Sequence, residues 1–165
     1  MSHTRSRIRW LATAAALLSL AACSDKEAAN GGLPTNASTG LYPQISVSTQ
    51  AGAVKADLAL RQIPGGMRFN SYQGEVVYDP AVLTFKGVAL PAGVDGAANL
   101  VSPGHIRFAG AALDGTVGAP MLSMSFSATG EVKREAFNVR FEEVTDEQYA
   151  DVTAQVQSGY LIFQR

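Results

Sequence analysis

Residues 71–90 read SYQGEVVYDPAVLTFKGVAL, and their patterning decides the fold. Tyr72, Gly74, Val76 and Tyr78 alternate with Gln73, Glu75 and Val77, the period of a strand with one buried face. Asp79-Pro80 ends that strand: proline has no N–H for a ladder, and aspartate folds its carboxylate back onto a turn. Leu83 and Phe85 then resume the alternation, and Val88 and Leu90 continue it in the other phase. Gly87 stands at the change, as at a bulge or bend. Strand, turn and second strand follow one another with no helical spacing between them.

The same period runs outward in both directions. Upstream, Ile45, Val47 and Thr49 alternate with Ser46, Ser48 and Gln50, and Val54, Ala56, Leu58 and Leu60 with Lys55, Asp57, Ala59 and Arg61. Downstream, Ile106 and Phe108 face away from His105 and Arg107. Leu122, Met124 and Phe126 alternate with serines, and Phe137, Val139 and Phe141 with Asn138, Arg140 and Glu142. Tyr160, Ile162 and the last residues supply a closing strand. Turn signals separate these runs at Pro64-Gly65-Gly66, Pro91-Ala92-Gly93, Asp95-Gly96, Pro103-Gly104, Asp114-Gly115 and Thr129-Gly130. No window carries a 3.6-residue apolar stripe, although Glu142–Asp151 has room for one helical turn. Short strands with one apolar face each must stack that face on a second sheet. The expected fold is all-β, a nine-stranded antiparallel β-sandwich with jelly-roll topology; no Cys–Trp–Cys pattern favours the immunoglobulin type.

The chain of 165 residues suits one folded domain, and a net charge of -1 gives no case for nucleic acid. Its single cysteine excludes a disulfide framework and a cysteine-based zinc cluster. That cysteine closes an export signal. Arg5, Arg7 and Arg9 precede an apolar run from Trp10 to Ala22, too short to span a bilayer. The run ends Leu20-Ala21-Ala22-Cys23, which resembles the lipobox of bacterial lipoproteins. The resemblance implies that the Cys23 thiol receives diacylglycerol, that residues 1–22 are removed, and that the new amine is acylated. Ser24 rather than aspartate follows the cysteine, which favours the outer membrane of an envelope that has two. Ser24–Pro43 is polar and punctuated by glycine and proline, so residues 23–43 read as lipidated cysteine and tether, and residues 44–165 as the folded domain.

Tyr78-Asp79-Pro80-Ala81-Val82-Leu83, followed by Phe85-Lys86-Gly87-Val88, resembles the cohesin family. Val54–Leu60 before a Pro-Gly turn, Gly104-His105-Ile106-Arg107-Phe108 and Ser158-Gly159-Tyr160-Leu161-Ile162 resemble further cohesin strands in the same order. The resemblance implies a jelly-roll sandwich that binds a partner and catalyses nothing. In cellulosomes that partner is a dockerin, held on one sheet face. This chain has no dockerin-like Asp-x-Asn-x-Asp-Gly loop and no scaffold repeats, so an envelope protein competes with a dockerin-like one as partner. The superfamily also contains carbohydrate-binding modules, which makes a polysaccharide the alternative ligand. A structural subunit that pairs through an edge strand is a third reading.

Catalytic chemistry finds little material. There is no Gly-x-Ser-x-Gly elbow and no phosphate-cradling Gly-x-x-x-x-Gly-Lys, and His105 is the only imidazole beyond the signal. Nothing calls for a cofactor. Glu142, Glu143, Asp146, Glu147 and Asp151 cluster without the spacing of a calcium loop and read as a solvated acidic segment. The only tryptophan lies in the signal; the phenylalanines, Tyr72, Tyr78 and Tyr160 read as core. Tyr42 and Tyr149 remain as a thin platform for a sugar. Ser71, Gln73 and Glu75 lie on the polar side of their strand, which cohesins resembling this chain use for recognition. His105 and Arg107 form a second polar stripe. These five are the candidate partner-binding residues.

Overall fold

The computed structural model describes residues 39–165 except 64, 113–116, 118 and 158. The export signal, Cys23 and the Asp114-Gly115 turn lie outside the described residues.

Two sheets stack face to face. Sheet A runs β4 (Leu83–Ala89), β7 (Leu122–Ala128), β2 (Ala53–Ile63), β1 (Gly40–Gln50), β9 (Ile162–Gln164), and sheet B runs β5 (Val94–Ser102), β6 (His105–Ala112), β3 (Phe69–Tyr78), β8 (Phe137–Asp146). Every pairing is antiparallel except β1 with β9, so the antiparallel expectation holds for all but the closing strand. The core is what the alternation requires. Val54, Ala56, Leu58 and Leu60 of β2 and Leu122, Met124 and Phe126 of β7 meet Tyr72, Val76 and Tyr78 of β3 and Val139 and Phe141 of β8. Gly87 sits where the β4–β7 register slips, the bulge that the sequence pattern marks.

Four elements differ from the sequence reading. The first strand begins at Gly40, not at Gln44, because Leu41 (0% exposed) and Tyr42 (2%) are core. Tyr42 packs edge-on against Tyr160 and is no part of an open aromatic platform. Val94–Ser102 is a strand although Asp95-Gly96 reads as a turn: it is a margin strand with almost no buried face, so no alternation announces it. Glu142–Asp151 holds no helix. β8 continues to Asp146, and a tight turn follows in which the Asp146 carboxylate accepts the N–H groups of Gln148 and Ala150. Tyr160, expected inside, is half exposed just ahead of the short β9.

Tyr72 ties the interior together. Its hydroxyl donates to the Met121 carbonyl at 2.5 Å, and burial pushes its pKa up to about 12. The native state thus holds its proton to higher pH than the unfolded chain. This contribution is whole below about pH 10 and is lost as pH climbs from there through 12. Tyr72→Phe should cost about 1–2 kcal/mol at neutral pH by leaving the carbonyl unpaired. It should also remove most of the decline in stability between pH 10 and 12, as read by denaturant titration across that range.

Candidate partner-binding face

The outer face of sheet B is built around β3. Its alternation buries Tyr72 and Val76 and sends Ser71, Gln73, Glu75 and Val77 outward. β6 lies on one side with Val77 opposite His105 and Glu75 opposite Arg107. β8 lies on the other with Glu75 opposite Arg140 and Ser71 opposite Thr145. The two-residue turn Pro103-Gly104 joins β5 to β6 and contacts the end of β3. Gly104 takes φ +87, which a side chain would strain, and its carbonyl accepts the Tyr78 N–H at 2.8 Å.

All five residues singled out from the sequence therefore share one face. The structure links them mostly to β8 and to each other. Glu75 Oε2 lies 3.0 Å from His105 Nε2, and its other oxygen lies 3.9 Å from Arg140 Nη1. Arg107 reaches across β3 to donate to Glu142 at 2.5 Å. The Ser71 hydroxyl meets Thr145 Oγ1 at 2.8 Å, and that same oxygen accepts the Ser71 N–H. Gln73 lies between Ala109 and Glu143. Exposed pairs of this kind add little to stability. What they do is set opposite charges side by side, Arg107, Glu75 and Arg140 in turn across the sheet, a pattern suited to a polar partner surface of matching register. Val77, an exposed apolar residue beside His105, supplies the one hydrophobic contact point on β3.

Sequence reasoning missed the contribution of β8. Asn138, Arg140 and Glu142 were legible as a polar stripe, but nothing in the chain says that β8 lies beside β3. Val77 is legible as outward-facing, but an exposed valine has no chemistry of its own to mark it as a contact.

Of the acidic group, Glu142 and Glu143 border this face, and Asp146, Glu147 and Asp151 are engaged elsewhere. Hydrogen bonds from the Thr153 hydroxyl and N–H hold the Asp151 carboxyl below the usual range. Glu147 lies 4.0 Å from Arg68. Among the described residues no group of three or more His, Cys, Asp or Glu side chains is placed to hold a metal ion. Tyr149, at 72%, and Tyr160, at 44%, are exposed aromatics, and neither lies within a strand.

No family model matches the sequence, and no curated protein does. Solved structures do. The sixth cohesin of scaffoldin B from Acetivibrio cellulolyticus, in complex with a Cel5 dockerin mutant, superposes with a TM-score of 0.52 at 15% identity, over 76% of this chain and 100% of that one. The cohesin of a type I cohesin–dockerin complex from Clostridium thermocellum gives 0.52 at 15% identity, over 75% and 99%. The cohesin module of a family 33 glycoside hydrolase from Clostridium perfringens gives 0.51 at 12% identity, over 77% and 98%. In each case nearly the whole module is matched and the sequence hardly at all, which is a likeness of fold. The domain that follows the N-terminal segment is cohesin-like in fold.

Proposed function

We propose that this chain is a non-catalytic binding module, tethered to the cell envelope through lipid on Cys23, that captures a protein partner on the outer face of sheet B. The observation that carries the reading is the gathering of Ser71, Gln73, Glu75, His105 and Arg107 on one face of a cohesin-like sandwich. Structural neighbours of this fold were solved with dockerins bound, which favours a protein ligand, dockerin-like or of the envelope. The mechanism is presentation: the anchor fixes the module, residues 24–39 give it reach, and the pre-aligned charges select a complementary surface.

A polysaccharide remains the competing ligand on one observation, the exposure of Tyr149. A sugar site needs flat aromatics side by side on one surface, whereas the outer face of sheet B carries aliphatic and charged groups. The test is to immobilise the chain from Ser24 onward and pass envelope extract over it, with a polysaccharide panel alongside. Retention of a discrete protein supports the reading. Retention on a glycan with no protein captured would make the chain a sugar-binding module.

The tether makes a separate, all-or-none prediction. Cells fed a labelled fatty acid should incorporate it into the native chain and not into Cys23→Ser, and that variant should leave the membrane fraction. Two or more acyl chains anchor stably, so a partial effect is not expected. Label retained in Cys23→Ser would remove the lipid anchor from the account.

A further inference from the structure

Among the described residues four strands lie at the margins of the sheets: β4 and β9 in sheet A, β5 and β8 in sheet B. A margin strand turns alternate backbone N–H and C=O groups outward, and such a row pairs with another strand unless something blunts it. Three of the four are blunted. β4 carries Lys86 and loses register at Gly87. β9 is three residues long. β8 carries Arg140, Glu142 and Glu143, slips register twice against β3, and is bridged at Thr145 by Asp151. β5 is different. It runs nine residues, VDGAANLVS, with Asp95 its only charge and no lysine, arginine or proline. Its one irregularity lies at its end, between Leu100 and Ser102, and Leu100 and Val101 are 44% and 57% exposed.

We propose that β5 is a self-association edge, at which two copies of this chain pair β5 to β5 antiparallel about a two-fold axis and fuse their four-stranded sheets into one. The strand's own sequence favours a second copy over a foreign strand. With the axis at Ala98, Gly96 of one copy lies opposite Leu100 of the other, so the residue with no side chain meets a large one. Asp95 lies opposite Val101, Ala97 opposite Asn99, and no like charges meet. The large side chain of Leu100 finds room over Gly96, and the outward backbone groups of both strands are paired. β6 neighbours β5, with Asn99 opposite Arg107, so the dimer would also set two copies of the proposed partner face side by side. That consequence rests on the proposed function, but the pairing itself does not.

The test is sedimentation velocity of the full chain in detergent over about a hundredfold range of concentration, with hydrogen exchange at β5 read alongside. A monomer–dimer equilibrium is expected, with exchange at Val94–Ser102 slowed in the dimer. Ala97 and Asn99 are both exposed, so Ala97→Lys with Asn99→Lys leaves the fold intact by circular dichroism. It should weaken association by roughly tenfold or more, since two like-charged pairs are brought together. Ala97→Glu with Asn99→Glu should do the same. An equal mixture of the two variants should recover association, because each lysine then meets a glutamate. A monomer at every concentration, a dimer indifferent to both double substitutions, or a mixture no stronger than its parts would each overturn the proposal.

Discussion

Phe126→Ala should cost about 3–5 kcal/mol, a large part of the stability of a domain this size. Phe126 is 2% exposed on β7, and its ring is the hub of an edge-to-face cluster that spans the sandwich. Tyr78 stands 5.0 Å away on β3, Phe85 5.8 Å on β4 and Phe137 5.9 Å on β8. Truncation leaves a cavity between the sheets and takes away three aromatic contacts, each worth about 0.5–1.5 kcal/mol beyond burial. Urea unfolding should show a lower midpoint with an unchanged slope. Phe126→Leu, which keeps most of the volume, should lose considerably less. A cost under about 1 kcal/mol for the alanine variant would mean that the two sheets do not meet at this ring.

Gly74→Ala is the second large effect, and it acts on the candidate face as well as on stability. Gly74 points inward from β3 at the position where the β3–β8 register slips. A Cβ there would lie 2.2 Å from the Arg140 carbonyl oxygen, 3.0 Å from the Phe141 Cα and 3.0 Å from the Phe108 ring. The nearest obstacle is backbone, which cannot rotate aside, so β3 and β8 would have to part. The expected cost is about 3 kcal/mol or more. Because Glu75 and Arg140 are the next residue pair along the ladder, partner capture should fall with it. Gly87→Ala is the control: a Cβ there meets nothing within 4 Å, and its effect should stay within about 0.5 kcal/mol. Equal effects from the two substitutions would contradict the packing described around β3.

These two substitutions mark what could be read in the chain and what could not. Phe126 and the inward face of β3 were legible because a half-buried strand writes its environment into a two-residue period. β5 was not. At a sheet margin, with both faces largely in water, selection leaves small and polar residues that spell a turn as readily as a strand. The start of β1 was hidden for a related reason: Thr39-Gly40-Leu41-Tyr42-Pro43 has the composition of a linker, and only contact with the rest of sheet A makes Leu41 and Tyr42 core. Of the face itself, the polar stripes on β3 and β6 could be named in advance. Strand order is a long-range property, so the Arg107–Glu142 and Glu75–Arg140 contacts, which depend on β3 lying between β6 and β8, had no local signal.

Charge should matter to partner capture on one face of the sandwich and not on the other. Glu75→Lys with Arg107→Glu reverses the centre of the sheet B face. Lys55→Glu with Asp57→Lys reverses an ion pair of 2.8 Å on the outer face of sheet A while keeping its partners opposite in sign. Titration calorimetry of each variant with the captured protein partner is the most direct measurement. The sheet B variant should bind about thirtyfold more weakly or worse, and the sheet A variant as the native chain does. Undiminished binding by the sheet B variant, or loss confined to the sheet A variant, would place the partner elsewhere and contradict the central claim.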